Sequence, residues 1–210
     1  MDIGTAKPTA EDQALVPHHL LDKVTPDQRF TVADFKRLAE EAIADITARG
    51  KLPVMVGGTG LYIDSVLYDF AFAAADAERD PQNPRHLLKP VAQTRKLRPN
   101  TQVFGIQTDR EVIERRIVER IDQMFERGLV QEIGQLSQQY DWRSPGLSAI
   151  GYREFEDYYN KVITLTEVKE RIIIATRQYA KRQRTWLHRN PDIRWGTPEQ
   201  ILTWATEALT

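Results

Sequence analysis

The turn Gly57-Gly58-Thr59-Gly60 sits between a short apolar run and a helical stretch, a placement that can do chemistry. A glycine turn there leaves backbone N–H groups free at the positive end of the helix, where an anion is well placed. The same glycines also make a tight strand-to-helix corner with no ligand at all. The bare pattern leaves both readings open. It is not a P-loop, because G-x-x-x-x-G-K-[ST] occurs nowhere in the 210 residues. The opening run MDIGTAKP sets Thr5 and Lys7 beside Gly4, a hydroxyl and an ammonium that suit a phosphate. A loose terminus would put them to no use. His18 and His19 follow Pro17 without the neighbouring carboxylates or cysteines of a metal ligand set.

The densest positive charge lies between Arg171 and Arg194. Arg177, Lys181, Arg184 and His188 fall at helical spacing on one face, with Arg182 and Arg189 close by. Ile172, Ala175, Tyr179 and Trp186 line the other. Only Asp192 opposes the basic run, whereas the stretch from Glu111 to Asp122 interleaves both signs as a solvated helix does. A one-signed face fits a polyanion. Arg120 shares a face with Arg116 and Arg127. It reads either as part of an i,i+4 salt-bridge lattice, worth tenths of a kcal/mol per pair, or as a guanidinium directed at a phosphate. Spacing alone favours the lattice.

These groups need elements to hold them. Residues 1 to 30 look irregular, broken by Gly4, Pro8, Pro17 and Pro26. Thr31 and Asp34 then resemble a capping box, and Val32, Phe35, Ala39, Ala42 and Ile46 form one helical stripe ending at Gly50. Leu52 to Val56 has the length and composition of a buried strand, followed after the glycine turn by a helix carrying Leu61 to Leu67. Between residues 70 and 100 the rhythm breaks, leaving one short helical candidate between proline-bearing segments. Val103 to Ile106 reads as a second buried strand. Helices are expected over about 109–127, with Ile113, Ile117, Ile121 and Met124 inward, over 129–139 and over 166–189. A strand at Ile193 to Trp195 and a helix opened by Thr197-Pro198-Glu199 end the chain. The alternation implies an α/β class with a parallel sheet. The domain reading is a core of residues 1–69 and 101–210 with a reduced insertion at 70–100.

Composition sets outer limits. With 41% hydrophobic residues the chain can bury a core, and a net charge of −1 gives no global pull toward nucleic acid. Any such surface must be local. The absence of cysteine excludes disulfides and thiolate metal sites. No apolar run approaches the roughly 20 residues of a membrane span. The expectation is a soluble, cytoplasmic monomer.

Four separated stretches together carry a resemblance: MDIGTAKP with VPHHLLD (Val16 to Asp22), VGGTGLY (Val56 to Tyr62), SAIGYREF (Ser148 to Phe155) and TRQYAKRQRTW (Thr176 to Trp186). In order and approximate spacing they resemble the bacterial tRNA dimethylallyltransferases. The resemblance implies a P-loop-kinase-like fold and transfer of a dimethylallyl group from dimethylallyl diphosphate to N6 of adenosine 37 in tRNA, with Mg²⁺. It implies that Thr59, with Gly57, Gly58 and Gly60, lines a channel for the substrate base. Ser148, Gly151, Tyr152 and Arg153 would contact tRNA, as would Arg177 and the run Lys181, Arg182, Gln183, Arg184 and His188. Thr5, Lys7 and His19 are substrate contacts on the same basis. Arg120 matches an arginine of the family's R-I-x-x-R-x-x-x-M pattern, which brings the diphosphate reading level with the lattice. Arg85 and Lys89 resemble the start of a tRNA-binding segment, with Lys89 in place of a usual arginine.

The departures bear on activity. The family's P-loop and the Asp that serves as its general base have no counterpart in residues 1–210, and the helical insertion is short. A sheet without its P-loop strand leaves backbone groups unpaired. The chain alone is therefore expected to be poorly stable and catalytically deficient unless that part is supplied from elsewhere. Two other functions remain: an isopentenyltransferase acting on free adenine nucleotides, against which the basic helix argues, and a non-catalytic RNA-binding protein.

Overall fold

Threonine caps start four of the helices. The structure, a computed structural model, describes residues 1–72, 90–92 and 96–208. Thr9 with Asp12 opens α1 (Ala10–Leu15), and Thr31 with Asp34 opens α2 (Val32–Ala48). In both, the threonine hydroxyl accepts from the backbone N–H three residues on, while the acidic side chain accepts from the threonine N–H. Thr164 with Glu167 and Thr197 with Gln200 repeat this at α7 (Leu165–Leu187) and α8 (Pro198–Glu207). The box at Thr31 is legible in the sequence. α1 is a correction to the irregular reading of residues 1–30. It has only six residues and buries none of them, so it leaves no apolar stripe to find.

The described chain divides into two units, Met1–Arg29 with Gln107–Arg182, and Phe30–Ile106 with Gln183–Thr210. In the first unit α4 (Arg110–Glu126) turns at Gly128, whose φ of 97° is left-handed, into α5 (Leu129–Gln139). A 3₁₀ turn at Arg153–Phe155 leads into α6 (Glu156–Tyr159). Ile117, Ile121 and Met124 of α4 meet Leu129, Ile133, Leu147, Tyr152, Phe155, Val168 and Ile172 in one core. Met1, Ile3 and Ala6 pack against that core, so the opening run is part of the fold rather than a tail.

In the second unit α2 packs on α3 (Gly60–Leu67), with the rings of Phe35 and Tyr62 5.0 Å apart. β1 (Ala71–Phe72) pairs antiparallel with β2 (Pro90–Ala92). β3 (Val103–Ile106) and β4 (Ile193–Gly196) pair in parallel, Val103 opposite Ile193 and Ile106 opposite Gly196. The α/β class expected from the sequence is what the structure has. Apart from Pro90–Ala92, the central part of the 70–100 region, including Arg85, Lys89 and the helical candidate, lies outside the described residues.

Leu52 to Val56 corrects a second expectation. It forms no strand, and its apolar side chains are open, Val56 at 91% and Val54 at 74% exposure. A strand exists only where a neighbour completes its ladder, and among the described residues no strand pairs with this run. Amide hydrogen exchange at residues 52–56 is therefore expected to be fast, and that of β3 slow. Equal protection of both segments, read by mass spectrometry, would contradict this arrangement.

Candidate functional site

Glu132, on the first turn of α5, joins the two sequence stretches with the strongest chemical interest in the first unit. Its Oε2 accepts from the backbone N–H of Asp2 at 2.7 Å and of Ile3 at 3.0 Å. Its Oε1 accepts from the N–H of Gly4 at 3.3 Å and from the Tyr152 hydroxyl at 2.6 Å. Tyr152 is fully buried, and its ring lies so near Gly4 that a Cβ there would stand 2.5 Å from it. Gly4 is thus glycine because of a close approach. Burial pushes the Glu132 carboxyl upward, but the bonds from Tyr152, Ile3, Asp2 and Gly4 outweigh it and hold the group below its ordinary value. Burial, then the hydrogen bond to Glu132 and that group's charge, drives the Tyr152 phenol far above the ordinary range.

The sign of the pH effect follows. A carboxyl depressed in the folded state stabilises the fold above its unfolded value, and that contribution is lost as pH falls through the folded value. Acid unfolding of the wild type below the ordinary value of 4.5 should accordingly be steeper than that of Glu132→Gln, which cannot titrate. Coincident pH profiles of denaturant stability would contradict the assignment.

Thr5 and Lys7 lie on this loop. The Thr5 hydroxyl turns inward to Met1 O at 2.9 Å, and the Lys7 ammonium bridges Asp2 and Asp22. Burial lowers the Lys7 pKa, but the two carboxylates more than offset this and raise it. His19 is exposed, and His18 Nδ1 lies 2.8 Å from Val16 O. Beyond Tyr152, Ser148 donates to Pro145 O at 2.7 Å, and the N–H of Gly151 donates to the buried Glu154 at 2.8 Å. Arg153 is exposed and donates to the same Glu154 at 2.9 Å.

In the second unit the glycine turn is covered by side chains. A Cβ at Gly58 would stand 2.4 Å from Nε2 of Gln183, and one at Gly60 2.0 Å from the Trp186 ring. Close approach accounts for both glycines without a ligand. Gly57 has open space before Ile63, and Thr59 stands exposed at the N-cap of α3. The Trp186 indole N–H donates to Asp64 Oδ2 at 2.7 Å, and burial raises the Asp64 pKa. Trp186 is therefore not the buried stripe residue expected. It is 42% exposed and is held by its polar edge. Nearby, the Tyr68 hydroxyl lies 2.6 Å from Asn190 Oδ1 and 2.7 Å from Asp192 Oδ2, and burial followed by Asp192 pushes its pKa to about 12.

Along α7 the side chains of Arg177, Lys181, Arg182 and Arg184 are exposed, as is His188 just past its end, while Val168 and Ile172 are buried. The His188 ring stacks on Trp195 at 4.3 Å, and Arg194 lies 3.5 Å over Trp204. On α4 the lattice consists of Arg110 with Glu114 and Arg115 with Glu119. Arg120 and Arg116 are exposed and form no ion pair with another described residue. Among the described residues no three His, Asp or Glu side chains come together as a metal site, and no helix is long and apolar enough to cross a membrane.

Glu132 escapes a reading of the sequence alone. Its backbone partners lie 128 to 130 residues away and Tyr152 lies 20 away, and its only local mark is an acidic residue near a helix start.

The chain matches the family model described as IPP transferase in two pieces, residues 1–93 and 82–190. It is 36% identical to a tRNA dimethylallyltransferase of Anoxybacillus flavithermus, over 93% of this chain and 77% of the relative. It is 34% identical to one of Bacillus subtilis with the same coverage. The first of these alignments spans 239 positions, more than the 210 residues present, so that relative has internal residues with no counterpart here. The crystal structure of a tRNA delta(2)-isopentenylpyrophosphate transferase from Staphylococcus epidermidis superposes with a TM-score of 0.83 at 31% identity, covering all of this chain and 86% of that one. A tRNA isopentenylpyrophosphate transferase from Bacillus halodurans gives 0.80 at 34% identity, covering 94% and 77%. With the matched residues spanning nearly the whole sequence and the fold following them, the chain belongs to the IPP transferase family.

Proposed function

We propose that this chain acts in the transfer of a dimethylallyl group from dimethylallyl diphosphate to the exocyclic N6 of adenosine 37 in tRNA. The observation that carries this is the likeness to tRNA dimethylallyltransferases along 93% of the chain. In the reaction the N6 lone pair forms a bond to C1 of the dimethylallyl group, the bond from C1 to the diphosphate oxygen breaks with its electron pair, and N6 loses a proton. The base must first leave the anticodon-loop stack, at a cost of a few kcal/mol. The exposed basic residues of α7 offer contacts to the RNA backbone. Ser148 and Arg153, which are exposed, are proposed as further tRNA contacts, with Thr59 beside the flipped base; Gly151 and Tyr152, expected to join them, are buried and support that segment from beneath.

Arg120, outside the lattice of α4, is proposed to meet the diphosphate, where negative charge grows as the bond breaks. Magnesium enters only as the counter-ion of that diphosphate, since this ion is held largely by phosphate oxygens and water. Among the described residues no group of three His, Asp or Glu side chains stands ready to hold it. The protein is proposed to work as a cytoplasmic monomer.

A second reading is RNA binding without transfer, which the exposed cations of α7 would serve equally well. One experiment separates the two. The protein is incubated with tRNA, labelled dimethylallyl diphosphate and Mg²⁺, and nucleosides are analysed after digestion. Label on N6 of adenosine 37 supports transfer. Retained tRNA binding without label would favour the second reading.

A further inference from the structure

The structure assigns to Glu132 a positioning role: its carboxylate locks the opening loop, residues 2 to 7, against Tyr152, so that both stretches meet the RNA as one surface. The inference rests on the tRNA reading above. Three successive backbone N–H groups, of Asp2, Ile3 and Gly4, converge on this one side chain at 2.7, 3.0 and 3.3 Å. Such a convergence of N–H groups is an anion receptor. Here the protein fills it with its own carboxylate, so these N–H groups hold the loop rather than a phosphate.

The fourth bond fixes the other partner. The Tyr152 hydroxyl donates to Glu132 at 2.6 Å, and the buried ring fills the space that Gly4 leaves open. The lock extends to the loop's cation. Asp2, whose N–H Glu132 holds, also bridges to Lys7 through its carboxylate, and the Lys7 N–H donates to Asp2 O at 3.0 Å. Glu132 itself need not touch the RNA. It sets where Lys7 and Thr5 stand, and it ties them to the segment carrying Ser148 and Arg153.

The test compares wild type with Glu132→Ala, Glu132→Gln and Tyr152→Phe in two measurements on the full chain. Hydrogen exchange reads the amides of residues 2–4 against those of the α4 and α5 core, and a titration reads affinity for an anticodon stem-loop RNA. Glu132→Ala should lose protection at residues 2–4 with core protection kept, and should bind RNA about tenfold more weakly, the equivalent of one hydrogen bond to a charged group. Glu132→Gln should restore part of both effects, because its amide oxygen can still accept from two of the N–H groups while the Tyr152 hydroxyl turns to accept from its amide. Tyr152→Phe, which keeps the ring and three of the four bonds, should fall between wild type and Glu132→Ala. Loss of loop protection with unchanged RNA affinity would overturn the inference, as would unchanged protection in Glu132→Ala. Failure of the wild type to bind the RNA would instead overturn the tRNA reading on which the inference rests, while the loop measurement would still report the lock.

Discussion

Tyr152→Ala should destabilise the first unit by about 4–7 kcal/mol. The side chain is fully buried in the main core, and replacing such a ring with alanine costs about 3–5 kcal/mol through lost burial and the cavity left behind. The change also strips Glu132 of its shortest hydrogen bond, at 2.6 Å, adding about 1–2 kcal/mol. Against a total stability of about 5–15 kcal/mol for an ordinary domain, the combined loss is a large fraction. Denaturant unfolding followed by far-ultraviolet circular dichroism would read it. Tyr152→Phe, which removes only the hydroxyl, should cost no more than about 2 kcal/mol. A similar cost for the two variants would mean that the hydrogen bond, not the packing of the ring, sets the stability.

The second large effect concerns RNA. Arg177, Lys181 and Arg184 are exposed on α7, and replacing all three with glutamine removes three positive charges without disturbing buried residues. At about 1 kcal/mol per phosphate contact the affinity for tRNA should fall roughly a hundredfold. The slope of log affinity against log salt should also shrink by about 2 to 3, at about 0.7 to 0.9 per contact. Unfolding stability should change little, because surface substitutions of this kind usually stay within about 0.5 kcal/mol. An unchanged salt slope would show that the RNA does not lie on this helix.

What was legible in the sequence was local. The Thr31 and Asp34 box, the stripe of Ile117, Ile121 and Met124 and the stop at Gly128 each depend on neighbours within a few residues, and the structure has all of them; the strand Val103–Ile106 is present as well, but paired with Ile193–Gly196 and only half-buried, with Ile106 exposed. Leu52 to Val56 has the composition of a strand, but pairing is a property of two segments, and no partner strand stands beside it among the described residues. The helix α1 was hidden for a different reason, since a cap without an apolar stripe gives no period to read.

The candidate site divides along the same line. The basic run of α7 is visible in residue types alone, and its exposure follows from the absence of apolar residues on that face. The glycines at 58 and 60 left an anion site and a tight corner both open, and the side chains that approach them, Gln183 and Trp186, come from more than 120 residues further along the chain. Glu132 was invisible because its three backbone donors lie about 130 residues back in the sequence and its fourth, Tyr152, stands 20 residues on with no periodic pattern linking the two.

The most direct test of the tRNA assignment is a competition titration. A labelled anticodon stem-loop with adenosine at position 37 is bound to the protein and challenged with unlabelled tRNA or with AMP. Displacement by tRNA is expected at concentrations far below those needed for AMP, with a salt dependence that weakens when the α7 cations are removed. Displacement by AMP as readily as by tRNA, or no binding of the stem-loop at low salt, would contradict the assignment.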